Sequence, residues 1–124
     1  MKFRHAVKAD YPQIQKLVAS FPKQLMPEIP AASRFFVALD GAEVVGCCAL
    51  DIYSKRIAEI RSLAVSSKYQ GQGIGVKLVQ KCLKLATKKG ISEVFAITGR
   101  PEFFSKLGLT TFQNEKVAVF KWLK

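Results

Sequence analysis

Residues 57–75 read IAEIRSLAVSSKYQGQGIG, and the order of the elements on either side follows from this segment. Ile57–Val65 is an apolar run interrupted by two charges, a strand pattern. Strand side chains alternate. Ile57, Glu59, Arg61, Leu63 and Val65 are therefore expected on one face, and Ala58, Ile60, Ser62 and Ala64 on the other. Two charges then share one face of a central strand. Gly71, Gly73 and Gly75 follow, between this strand and a helix. Closely spaced glycines let the backbone turn tightly and leave its N–H groups uncovered. The next helix adds free N–H groups and the positive end of its dipole. Such a loop suits a pyrophosphate, and it equally suits a plain tight connection from strand to helix. A P-loop is excluded because Lys77 is followed by Leu78. A dinucleotide fingerprint fits poorly. Its third glycine comes one residue early, and hairpins precede the loop although Glu93 stands near the place of a ribose-binding acid.

Downstream, residues 73–89 carry a helical period. Leu78, Val79, Cys82, Leu85 and Ala86 face inward, Lys77, Lys81, Lys84 and Lys88 face outward, and Gly90 caps the end. Glu93–Thr98 is a strand parallel to the one before the glycine loop. Pro101 opens a short helix that stops at Gly108, and runs at 110–112 and 117–123 read as a closing hairpin. Upstream, residues 2–7 form a first strand. Asp10 is the expected N-cap of a helix with Pro12 in its first turn and Ile14, Leu17, Val18 and Phe21 inward. Pro22 ends that helix, and residues 22–33 are a loop or broken helix able to wall a cleft. Runs at 35–39 and 43–53, joined by Asp40-Gly41, complete an antiparallel meander with the 56–65 strand. The reading is one α+β domain over residues 1–124: a mixed, mostly antiparallel sheet with helices on both faces.

Composition agrees. Of 124 residues, 49% are hydrophobic and 23% charged, which excludes a disordered chain. No apolar run is long enough to span a bilayer, and the N-terminus MKFRHAVKAD has no signal-like apolar core, so the cytoplasm is the expected location. Cys47, Cys48 and Cys82 with the single His5 fit no metal spacing; the adjacent cysteines are expected as buried thiols on opposite faces of a strand. Twenty Lys and Arg against nine Asp and Glu give a net charge of +11, which favours a polyanionic partner such as nucleic acid, an anionic membrane or a phosphate-rich cofactor. The lysine stripe supports nucleic acid only weakly, because no aromatic is interleaved with it.

Gln70-x-x-Gly73-x-Gly75 after that strand resembles the acetyl-CoA-binding motif [RQ]-x-x-G-x-[GA] of the GNAT superfamily of N-acetyltransferases. Phe103-Phe104-Ser105-Lys106-Leu107-Gly108-Leu109 is similar to the family's F-Y-x-K-x-G-F segment, and the element order is that of the GNAT fold with its second helix shortened. The resemblance implies acetyl-CoA as cofactor. Backbone N–H groups of Gln70, Gly71, Gln72, Gly73, Ile74 and Gly75 would take the pyrophosphate. Main-chain groups of Leu63, Ala64 and Val65 would pair with the pantetheine arm, and Phe103 and Phe104 would border it. Glu59 matches a glutamate that histone-type members use as a base through water. A carboxylate set among apolar residues is placed for a raised pKa; an ion pair with a nearby cation is the plainer alternative. Where many relatives carry a proton-donating Tyr, this chain has Phe104, and Tyr69 stands too near the loop to replace it.

The finer text, including FFVA, VVGCCAL, AEIRSLAV and PEFFSKLG, resembles the short N-acetylglutamate synthases from about Gln24 to Leu109. This implies a primary-amine acceptor, with the α-amine of an amino acid such as glutamate as the leading one. Arg61 would hold its carboxylate, with Arg100 as a second anion contact. A protein lysine, a polyamine, or a non-catalytic basic module binding nucleic acid are the alternatives. The sequence leaves the oligomeric state open, a homodimer included.

Overall fold

The computed structural model describes residues 1–111, 119 and 121–123. Its elements run β1 (Lys2–His5), α1 (Tyr11–Ala19), β2 (Phe35–Asp40), β3 (Glu43–Ile52), β4 (Ile57–Val65), α2 (Ile74–Lys88), β5 (Glu93–Ala96) and α3 (Pro101–Ser105). The sheet order is β1-β2-β3-β4-β5, antiparallel except for the parallel β4/β5 pair. This is the mixed α+β sheet expected. Residues 22–33 form a loop closed by a 3₁₀ turn at Ala32–Arg34, with no second long helix. The expected closing hairpin falls largely outside the described residues; Thr110 and Thr111 are irregular.

Each face of the sheet carries its own core. Ile14 and Val18 of α1 pack with Phe35, Val37, Val44, Cys47 and Ala49 on one face. Ile74, Leu78, Val79, Cys82 and Ala86 of α2 pack with Ala38, Val45, Cys48, Leu50, Ala58 and Ile60 on the other. Cys47 and Cys48 thus point to opposite layers, as neighbours on a strand must. All three cysteines are buried free thiols; burial pushes Cys47 up to about 12 and holds it protonated. Helix α2 lies very close to β3 at Gly46. A Cβ there would stand 3.0 Å from Ile74 Cγ2 and 3.1 Å from Leu78 Cδ1. Only a residue without a side chain fits this approach unless the helix moves.

Three local expectations are corrected. The Asp10 side chain does not cap α1. It turns back, accepting from the Val7 backbone N–H at 2.8 Å and from both Arg4 terminal nitrogens at 2.7 and 3.2 Å. A bidentate guanidinium outcompetes the helix N–H groups for this buried carboxylate. Strand β5 ends at Ala96, before Thr98. The third correction concerns the alternation along β4. Ala49 pairs with Arg61 and Cys47 with Ala64, so Cys48 alone faces the pair Ser62 and Leu63. This is a β-bulge, and Ser62 carries φ 55. Beyond it the faces exchange. Leu63 and Val65 pack with the α2 core, and Ala64 with the α1 core. Leu63 and Val65 therefore do not share a face with Glu59 and Arg61.

Candidate active site

The bulge lies where β4 and β5 part. Their pairing runs only from Ile57↔Glu93 to Ile60↔Ala96. From Arg61 to Val65 the edge of β4 away from β3 has no strand beside it among the described residues. Bulged strands bend and twist more strongly, which carries this end of β4 away from β5. Glu93 sits at the opposite end of the pair, where it meets Arg56 at 2.9 Å, so it has no part near the glycine loop.

The glycine loop starts at this open end. Gly71 and Gly73 both have φ 81, a conformation that disfavours any Cβ. Gly73 caps α2 without a side-chain bond, and the first intrahelical hydrogen bond runs from the Lys77 N–H to the Gly73 carbonyl at 3.1 Å. Among the described residues, no backbone N–H from Gly71 to Val76 donates a hydrogen bond. These unpaired donors at a helix N-terminus form an anion cradle. The Gln70 side chain does something the motif alone does not reveal. Its amide donates to the Val65 carbonyl at 3.0 Å, tying the loop to the strand end. Tyr69 donates its hydroxyl to Asp40, fastening the preceding turn to the β2–β3 hairpin, and this bond raises the phenol's pKa.

Gly75 faces the Phe103 ring. A Cβ at Gly75 would lie 3.5 Å from Phe103 Cζ and 3.8 Å from Val65 Cγ2, so the half-buried Phe103 ring borders the junction of loop and strand. Phe104 is buried in the α2-side core and meets Phe103 edge to face at 5.0 Å. Arg100 is exposed after the bend at Gly99, and among the described residues its carboxylate neighbour is Glu102 at 4.0 Å; no ion pair or hydrogen bond joins it to Glu59 or Arg61.

Glu59 and Arg61 are brought together on the α1 face. The Glu59 side chain is 13% exposed, and its carboxylate stands 3.9 Å from Arg61 Nε. Two neighbours were not singled out in the sequence. Asp51 of β3 is the cross-strand partner of Glu59 and lies 3.2 Å from Arg61 Nη1. Tyr53 donates its hydroxyl to Glu59, and burial first, then this carboxylate, pushes its pKa up to about 12. Its ring lies 6.3 Å from that of Phe95 on β5. Asp51 stands out in sequence as a charge next to the apolar stretch of β3, but the strand ends read there would set it opposite Ala58; the observed register sets it opposite Glu59. Arg61 Nη2 donates to the Glu28 carbonyl at 3.3 Å, so the guanidinium also holds the loop after α1. That loop and α1 wall a cleft of about 390 Å³ lined by Val18, Leu25, Met26 and Ile29 among others. Among the described residues no cluster of His, Cys, Asp and Glu is suited to a metal, and no helix is long and apolar enough to cross a membrane.

Residues 3–108 match the Acetyltransferase (GNAT) family. The chain belongs to this family. It is 34% identical over 124 residues to the amino-acid acetyltransferase of Mycobacterium tuberculosis, covering 92% of this chain and 71% of that protein. To an uncharacterized N-acetyltransferase of Chlorobaculum tepidum it is 41% identical over 81 residues, covering 65% of this chain and about half, 52%, of the relative. The fold superimposes with a TM-score of 0.82 on a Mycobacterium tuberculosis protein in complex with CoA, at 32% identity, over 87% of this chain and 70% of the other. It superimposes at 0.78, with 27% identity, on an N-acetylglutamate synthase from Neisseria gonorrhoeae complexed with coenzyme A and N-acetyl-glutamate, over 86% of this chain and 27% of that one. The GNAT fold is thereby assigned, and acetyl-CoA is the cosubstrate of this family. The donor set here suits that group: free N–H groups for a diphosphate, an open strand edge for an amide-bearing arm, and a ring beside both.

Proposed function

We propose that the chain is an acetyl-CoA-dependent N-acetyltransferase acting on a primary amine of a small molecule. The observation that carries this reading is the run of N–H groups from Gly71 to Val76, unpaired among the described residues, beside an edge of β4 that no described strand covers. In it, Gln70, Gly71, Gln72, Gly73, Ile74 and Gly75 cradle the diphosphate, Leu63, Ala64 and Val65 line the arm, and Phe103 packs against it. Phe104 supports Phe103 from the core.

Glu59 is the general base. It takes a proton from the acceptor ammonium. The neutral nitrogen then attacks the thioester carbonyl carbon and forms the C–N bond. The C–S bond breaks, its electron pair leaves with the CoA sulfur, and the second nitrogen proton passes to that thiolate. No phenol is needed at Phe104 for this step, because a thiolate is a tolerable leaving group. The amine classes named for the relatives support a small-molecule acceptor. An α-amino acid such as glutamate would use Arg61, with Arg100 as a more distant contact.

The test is Glu59→Gln. We expect turnover at neutral pH to fall about a hundredfold, the ordinary contribution of a general base. Acetyl-CoA binding, read by thermal shift, should be retained. Unchanged turnover removes Glu59 from the role. Loss of every acetyl-CoA shift in the wild-type chain removes the function.

A further inference from the structure

Arg61 is the only cation in contact with the acceptor-side carboxylates among the described residues, and both ends of its fork already have partners. Nη1 is on Asp51 at 3.2 Å and Nη2 on the Glu28 carbonyl at 3.3 Å. Both terminal nitrogens of the fork are thus engaged, one of them by a carboxylate, and Nε already faces Glu59 at 3.9 Å. Around this one guanidinium stand two carboxylates, Asp51 and Glu59, so the cluster carries net charge −1 in a chain whose total is +11. Asp51 and Glu59 are directly opposite each other on neighbouring strands. Side chains in that relation are about 5 Å apart at Cβ, and like charges there destabilise a sheet. Arg61 offsets one of the two. Neither Asp51 Oδ1 nor Glu59 Oε2 has a hydrogen-bond partner among the described residues.

Resting on the acetyl-transfer reading above, we infer that the acceptor site selects an amine bearing a second positive charge, a diamine or polyamine, over a free amino acid. One ammonium meets Glu59 and is the nitrogen acetylated. The second meets Asp51 and relieves its repulsion with Glu59. An amino acid's carboxylate has to share Arg61 with Asp51 and becomes a third negative group in the cluster.

The experiment uses the full chain with acetyl-CoA and follows release of the CoA thiol. Diaminobutane, butylamine and γ-aminobutyrate present the same carbon chain with a second ammonium, a methyl group or a carboxylate, and glutamate is added for comparison. The kcat/KM for diaminobutane should exceed that for butylamine by about tenfold, the scale of one charge-assisted hydrogen bond. Both amino acids should fall below butylamine. Asp51→Asn should bring the ratio of diamine to monoamine toward one. In the wild-type chain, salt should raise the KM of the diamine more than that of the monoamine, a readout that needs no variant. Faster turnover of glutamate or γ-aminobutyrate than of diaminobutane overturns the inference, as does a ratio that neither Asp51→Asn nor salt alters. Titration of the CoA-loaded chain separates this from the reaction itself. Diaminobutane binding more tightly than glutamate in this titration, together with no thiol release from acetyl-CoA in the assay with any amine, upholds the charge preference and refutes acetyl transfer. Absent or weaker diaminobutane binding overturns the preference.

Discussion

Replacing Gly46 by Ala tests the packing that holds the anion cradle in place. The new methyl would stand 3.0 Å from Ile74 Cγ2, 3.1 Å from Leu78 Cδ1 and 3.4 Å from Ala38 Cβ. Carbon atoms rest about 3.5–4.0 Å apart, so two of these contacts are short by about 0.5 Å. Leu78 is fully buried, and Ile74 is the first residue of α2, with a β-branched side chain. Neither yields without moving the N-terminal turn of the helix off the sheet. Overpacking of this kind costs about 1–3 kcal/mol. For a domain of this size each kcal/mol lowers Tm by roughly 4 °C, so a fall of about 4–12 °C is expected in a thermal melt. Because Ile74 moves with the cradle, acetyl-CoA at a fixed concentration should also stabilise the variant less than the wild type. Gly99→Ala is the control. Nothing lies within 4 Å of its Cβ, and its effect should stay within about 0.5 kcal/mol. A Gly46→Ala melt within about 1 °C of wild type would refute the close approach of α2 to β3.

Two further outcomes follow from the bonds described. The Arg4 guanidinium and the Val7 N–H hold Asp10 below the usual carboxylate range. A depressed folded-state pKa contributes stability that is full above the unfolded value, about 3.9, and is lost as pH falls through the folded value. Asp10→Asn should therefore destabilise at neutral pH and flatten the acid limb of the stability curve measured by urea titration between about pH 5 and 2. If the two acid limbs coincide, the Arg4 pair does not set that slope. Tyr69→Phe breaks the tie to Asp40 without touching the loop, so the KM for acetyl-CoA should rise a few-fold at unchanged kcat, and a fall in kcat alone would contradict this role.

Periodicity was enough for much of this architecture because each helix buries only one stripe. Ile14 and Val18, and Leu78, Val79, Cys82 and Ala86, could be placed inward from spacing alone. Asp40-Gly41 and Gly90 marked a hairpin and a helix end through the left-handed backbone that glycine permits, with φ 61 and 73. The exchange of faces along β4 was not legible. It turns on Ser62 adopting φ 55, a state that neighbouring pairs impose and that serine does not announce. Asp10 went astray for a related reason: a local rule for helix starts competed with an arginine six residues upstream, and only the folded chain brings the two together. The glycine loop was read through its backbone needs, which residue type does encode. The charge balance around Arg61 needed the β3–β4 register, because Asp51 is ten residues away in sequence and 3.2 Å away in space.

The bulge at Ser62 leaves the cradle on the α2 side of the sheet and Glu59 with Arg61 on the α1 side. If transfer runs as proposed, donor and acceptor reach the gap between β4 and β5 through separate doors. Neither has to leave before the other can enter. The kinetics of such an enzyme need no acetylated intermediate and no compulsory order of addition; both substrates can wait in place, and each product departs by the way its parent came.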